Sequence, residues 1–198
     1  MIVLMMILTV LLMGVAYLLG SLSSAILVCR ALKLPDPRTQ GSGNPGATNV
    51  LRFGGKKAAI ITLLGDMAKG FLPVLFAKLI GASDLACALI GLAAFIGHIY
   101  PIFFDFRGGK GVATALGVIA GLSLFLGAMS ALTWFAIYAL FRYSSVAAIV
   151  TAAVAPIYLL LLGYFGAFAP VLVMSLMIMW RHKENFKRLV AGTEPKAG

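Results

Sequence analysis

VATALGVIAGLSLFLGAMSALTWFAIYALF, residues 112–141, runs for 30 residues without a charged side chain. A membrane helix needs roughly 20 predominantly apolar residues to cross the hydrocarbon layer, so this run is long for one span and short for two. Read as two short helices turning near Gly127, it returns to the side from which it set out. Read as one tilted helix, it delivers everything downstream to the opposite side.

Charge counting decides between the two. With two helices, residues 30–57, 100–111, Arg142 and the tail from Arg181 onward share one side, which then holds 14 of the 16 Lys and Arg. Lys78 falls opposite and Lys69 lies within the membrane. Such an asymmetry marks the cytoplasmic face. The other apolar runs are Met1 to Val28, Ala58 to Ile80, Leu85 to Ile99, Ser144 to Leu162 and Phe165 to Trp180. The expectation is an all-α integral membrane protein with about seven transmembrane helices, N-terminus outside and C-terminus cytoplasmic, built as one polytopic domain over residues 1–198.

Composition agrees. Apolar residues make up 62% of the chain, charged residues 11%, and the mean hydropathy is +1.04, outside the range of soluble domains. The net charge of +10 would suit nucleic acid in a soluble chain, but here the cations sit in short gaps between apolar runs, so no nucleic-acid partner is expected. The first run lacks the basic start and the short apolar core of a signal peptide and reads as a retained span. Cys29 and Cys87 stand far apart and suggest neither a disulfide framework nor a metal site.

Three polar segments fall on the cytoplasmic side, at 41–57, 100–111 and 181–194. In the first, GSGNPGATNVLR over 41–52, Asn44 before Pro45 predicts an N-cap and first helical residue, with Gly54-Gly55 as the stop. Thr48 and Asn49 stand four and three residues before Arg52, so hydroxyl, amide and guanidinium share one helix face. Gly41, Gly43 and Gly46 also spell GxGxxG, but no strand precedes them and Asp66 lies in a membrane helix, which excludes a dinucleotide fingerprint.

The second segment, Phe106-Arg-Gly-Gly-Lys-Gly111, stands directly before the helix beginning near Val112. Bare backbone N–H groups and a helix N-terminus then face one point, an arrangement that binds anions. Lys110 and Arg107 add positive charge. It is not a Walker A loop, because glycine follows Lys110. In the third segment, His182 and Asn185 share a helix face three residues apart, with Arg188 a turn further on. Asp66 and Lys69, three apart inside an apolar helix, predict an ion pair lining the site, and His98 ends its helix and shapes the second loop.

Taken together, these segments resemble the motifs of the bacterial acyl-phosphate:glycerol-3-phosphate acyltransferases, integral membrane enzymes of phospholipid synthesis. Gly41 to Arg52, Phe106 to Thr114 and His182 to Glu194 match in the family's order, and Asp66-x-x-Lys69-Gly70 and Gly97-His98 agree. Arg107 departs by standing where lysine is common. The resemblance implies a transfer of a fatty acyl group from acyl-phosphate to the first hydroxyl of glycerol 3-phosphate, giving lysophosphatidic acid and orthophosphate. It also implies catalytic roles for Ser42, Arg52, Lys110, His182 and Asn185 and a phosphate loop at Gly108, Gly109 and Gly111. Asn44, Thr48, Asn49, Arg107, Thr114 and Arg188 complete the expected substrate-binding set.

The implied partners are glycerol 3-phosphate, acyl-phosphate, membrane lipids and the enzyme that supplies acyl-phosphate. The implied location is the bacterial inner membrane, with the site facing the cytoplasm. No cofactor is expected, and the scattered acidic residues give no metal-ligand cluster. Neither histidine is followed five residues later by aspartate, since Phe103 and Lys187 hold those places, which argues against an acyl-CoA donor. The alternative is a carrier of organic phosphates, whose site would lie near mid-membrane.

Overall fold

The computed structural model describes residues 2–196 as nine α-helices and one 3-10 turn, Ile102–Phe104. The helices are α1 (Ile2–Gly20), α2 (Ser24–Ala31), α3 (Ala47–Leu79), α4 (Asp84–Ile99), α5 (Val112–Leu122), α6 (Leu124–Phe141), α7 (Ser144–Leu161), α8 (Phe165–Arg181) and α9 (Lys183–Val190). Five stretches are long and apolar enough to cross a membrane: Val3–Gly20, Ala47–Leu79, Asp84–Phe104, Leu124–Phe141 and Ser144–Leu161. α8 and α9, bent by 49° at their junction, qualify as a sixth only when taken together. α5, with 11 residues, rises about 16 Å at 1.5 Å per residue and is half a crossing.

Large apolar side chains cover the outside of this bundle, among them Leu4, Val10, Leu64, Leu79, Leu132 and Phe165. Lipid is the solvent that accepts such a surface while every backbone polar group is satisfied within a helix. The interior is built largely from small residues, including Ala88, Ala94, Ala147, Ala152 and Ala155, which let membrane helices approach closely. Larger side chains fill the centre where α3, α4 and α5 meet: Val74, Ile90, Phe95 and Val118 are fully buried. The chain is an integral membrane protein.

The run from 112 to 141 does break into two helices, but at Ser123 and not at the expected Gly127. Ser123 is extended (φ −157°, ψ 125°) and its hydroxyl accepts the Leu126 N–H, capping α6. Gly127 lies inside α6, where a Cβ would stand 2.6 Å from that of Ala120. Its glycine permits α5 and α6 to pack closely. At the far end of α5 the ammonium of Lys78 donates to the carbonyl of Leu122, placing a cation where the helix dipole is negative.

The first motif also differs in detail. Asn44 is not the helix cap: the helix begins at Ala47 with Gly46 as its cap residue, and Asn44 O accepts the Gly46 N–H at 2.9 Å in a tight turn around Pro45. A proline held in that turn is not available as the first helical residue. The expected stop at Gly54-Gly55 holds: Gly55 is non-helical at φ 79°, ψ 176°, so the short helix from Ala47 ends there and a second helical stretch follows across a kink within α3. Glycine takes this backbone conformation without the Cβ penalty.

Candidate active site

Four connections of the bundle open onto one cavity of about 850 Å³. Its walls receive Ser42 from the α2–α3 connection with Thr48 and Arg52 from the first turns of α3, His98 and Lys110 from either side of the α4–α5 loop, Ser144 and Ser145 from the start of α7, and His182, Asn185, Arg188 and Glu194 from the chain's last segment. That convergence requires α5 and α6 to be a descending and a returning leg, the parity inferred from charge.

The cavity has two chemical halves. Arg52, Lys110 and Arg188 line one, while Leu63, Met67, Leu116, Ala131, Trp134 and Phe135 form an apolar wall from α3, α5 and α6. Leu63 and Phe135, both exposed in membrane helices, open that wall toward lipid. Val112, Leu116, Trp134 and Ala148 also border a smaller apolar chamber of about 40 Å³ that continues toward Ala155 and Met174.

Most of the residues singled out from sequence meet here: Ser42, Asn44, Thr48, Asn49, Arg52, Lys110, Gly111, His182, Asn185 and Arg188 all line the cavity. Four do not. Arg107 is exposed, and Thr114 is fully buried on α5 where it packs against Gly70 of α3. Gly108 and Gly109 are buried with their N–H groups donating to Ile99 O and His98 O, each at 3.2 Å, so those donors close the end of α4. The helix N-terminus that faces the cavity comes one step later: Gly111, Val112 and Ala113 line it as α5 begins. Gly111, at φ 87°, turns the chain into that helix.

Asn49 is engaged by its own loop. Its amide donates to Pro37 O and Gln40 O at 3.0 and 2.9 Å, and its carbonyl accepts the Ser42 N–H at 2.9 Å. This presents Ser42 at the cavity rim. Thr48 meets Ser144 hydroxyl to hydroxyl at 3.1 Å, tying the first motif to α7.

Lys110 donates to the side-chain carbonyl of Asn185. The Asn185 amide donates to Glu194, which also accepts from Ser145 at 2.7 Å and from Arg188 at 2.8 Å. Burial pushes the Glu194 carboxyl up, but the Asn185, Ser145 and Arg188 hydrogen bonds together hold it below its ordinary range. Burial lowers Lys110 to about 8, helped by Arg188, Arg181 and Arg52 and opposed by Glu194. His182 is lowered to about 4 by burial and by the Lys110 charge. Its Nδ1 lies 2.8 Å from Ile178 O. A carbonyl cannot donate, so Nδ1 carries the proton and Nε2 is left with its lone pair.

Two functional neighbours escaped the sequence reading. Glu194, the last residue of the third motif and not among the expected site residues, links Asn185 and Arg188 to Ser145 of α7. Arg181, counted from sequence only as the start of the basic tail, donates its guanidinium to Gly108 O and Gly109 O at 3.0 and 3.1 Å and fixes the glycine loop from the opposite side.

A multi-helix membrane protein with a one-sided cavity, cationic at one wall and apolar at the other, belongs to the class that handles anionic amphiphiles at the membrane surface. The glycerol-3-phosphate acyltransferase family matches residues 10–192, and the chain belongs to that family. A glycerol-3-phosphate acyltransferase of Methylococcus capsulatus is 55% identical over 189 residues, 95% of this chain and 96% of the relative. One from Coxiella burnetii is 53% identical over 182 residues, 92% and 94% of the two chains. The crystal structure of PlsY (YgiH), an integral membrane glycerol 3-phosphate acyltransferase in its glycerol 3-phosphate form, superposes with TM-score 0.92 at 41% identity over 96% of both chains. Its lysophosphatidic acid form gives 0.89 at 40% over 96% and 95%.

Proposed function

We propose that this protein transfers a fatty acyl group from acyl-phosphate to the sn-1 hydroxyl of glycerol 3-phosphate, at a site facing the cytoplasm of a bacterial inner membrane. One observation carries the reading: three cations and a helix N-terminus share a cavity with an apolar wall that opens toward lipid. Both substrates carry phosphate, and the donor also carries a long tail. Family membership and the substrate and product forms of the structural relative support the acceptor.

The site residues then take these roles. The first turn of α5 and Lys110 hold one phosphate by backbone N–H groups and an ammonium. Arg52 and Arg188 hold the other, with Ser42, Asn44 and Thr48 at the rim and Asn185 fixing Lys110. The tail lies along Leu116, Trp134 and Phe135. The hydroxyl oxygen attacks the acyl carbon, the carbon–oxygen bond to phosphate breaks, and its electron pair leaves with the phosphate. Held near 4, His182 is a weak base. It suits an acceptor at Nε2 that orients the hydroxyl, with the proton finishing on a phosphate oxygen. Rate enhancement comes from positioning and from charge aimed at the departing phosphate.

The test is orthophosphate release by the purified protein from palmitoyl-phosphate with and without glycerol 3-phosphate, in the presence of a chelator. Release that needs glycerol 3-phosphate, survives chelation and falls about a hundredfold in Lys110→Ala is the expected result. Intact, folded protein that releases none would favour a carrier of organic phosphates.

A further inference from the structure

Beneath the glycine loop lies a cluster the reaction scheme does not use. Asp66 on α3 is 2% exposed, and its Oδ1 lies 2.9 Å from Lys69 Nζ and 3.6 Å from His98 Nδ1. Lys69 Nζ donates to Leu22 O at 2.8 Å, anchoring the pair to the bend between α1 and α2. His98 is the penultimate residue of α4, and its ring is pressed against the loop: a Cβ added at Gly109 would overlap Nε2 and lie 3.2 Å from Pro45 O. The same residue's carbonyl accepts the Gly109 N–H at 3.2 Å.

Charges within a membrane bundle are costly, and an ion pair there is weak evidence for stability, because well-packed apolar residues of equal volume often serve as well. A requirement other than stability must explain placing three ionisable groups at this point. The contact with Gly109 supplies one. The chain from Leu22 through Lys69, Asp66 and His98 ends on the residue immediately before Lys110.

We infer that His98, packed beside the buried Asp66–Lys69 pair, is a positioning residue: its ring is the stop that sets where Gly109 sits and hence where Lys110 and the first turn of α5 meet the phosphate. The inference rests on the acyl-transfer reading. Arg181 holds the loop's carbonyls from one side, and His98 holds its backbone from the other. Displacement of a positioned group by about 1 Å costs up to about a hundredfold in rate, so this stop acts on kcat.

The experiment compares His98→Phe, His98→Asn, Gly109→Ala and the His98→Asn/Gly109→Ala pair with the wild type by orthophosphate release, alongside thermal midpoints in detergent. Phe keeps a ring but removes the polar Nδ1 beside Asp66; Asn stays polar but withdraws from Gly109. Both are expected to lower kcat about tenfold, with the KM for glycerol 3-phosphate changed less than about threefold and the midpoint within about 3 °C. Gly109→Ala should lose about a hundredfold. The double variant should recover at least about tenfold of that loss, because Asn vacates the space the methyl needs.

Wild-type kcat in His98→Phe would overturn the inference, as would a double variant no more active than folded Gly109→Ala. If His98→Phe fails to fold, the Gly109→Ala rescue decides alone. A wild type that releases no phosphate would instead overturn the acyl-transfer reading.

Discussion

With its pKa brought down to about 8 by burial and the cations Arg188, Arg181 and Arg52, Lys110 is protonated below that pH and loses its charge as the pH rises through it. Only the protonated form attracts phosphate, so kcat/KM should fall on the alkaline side of about pH 8. Bound phosphate favours the ammonium, so the matching limb in kcat should lie at higher pH. Lys110→Arg should abolish both limbs, because a guanidinium stays charged. Its maximal rate should nonetheless be about tenfold or more below wild type, because a planar fork cannot reproduce the ammonium's contact with Asn185. Rate profiles from pH 6 to 10 check all three outcomes. Arg181 gives a second expectation: Arg181→Met should lower kcat about tenfold by freeing the Gly108 and Gly109 carbonyls, with the KM for glycerol 3-phosphate largely kept.

At the scale of the element, the last segment is a clasp rather than a tail. Glu194 joins α7 through Ser145 to α9 through Asn185 and Arg188. Glu194→Ala leaves Asn185 free to turn and Lys110 without its nearest counter-charge. Activity should drop about tenfold or more while the thermal midpoint moves only a few degrees, since the carboxylate contributes little core contact. Measuring kcat/KM and the detergent midpoint on the same preparation separates the two effects.

The clasp also shows where sequence reasoning reached its limit. The helices, the pairing of α5 with α6 and the meeting of three polar segments were legible because lipid imposes long apolar runs and cations mark their ends. The break falls at Ser123 and not at Gly127, because a glycine in a membrane helix serves close packing as readily as turning. Of the expected phosphate loop Gly108, Gly109 and Gly111, the end of α4 takes the N–H groups of the first two, and only Gly111 lines the cavity. Partners distant in the chain but adjacent in space, such as the Arg181 guanidinium for Gly108 O, 73 residues away, leave no trace in local spacing.

For the whole molecule, one cavity fed by four connections fixes the relative sidedness of every loop, and that sidedness can be tested without activity. Cys29 and Cys87 are buried, which keeps background labelling by a membrane-impermeant maleimide low. Lys56, Arg107 and Lys183 are exposed on segments adjoining the cavity, whereas Gly81 and Gly163 are exposed in the α3–α4 and α7–α8 turns at the other end. In sealed vesicles of known orientation, Lys56→Cys, Arg107→Cys and Lys183→Cys should label together from the cytoplasmic face. Gly81→Cys and Gly163→Cys should label only from the opposite face. Lys183→Cys is the decisive member: it follows α5, α6, α7 and α8, so its side changes if residues 112–141 cross once instead of descending and returning. Labelling of Lys183→Cys with Gly81→Cys would separate His182 and Asn185 from Arg52 across the bilayer and dissolve the site. Labelling with Lys56→Cys keeps the three cations on one phosphate-binding face, and the substrates then enter from the side that also attracts the basic loops.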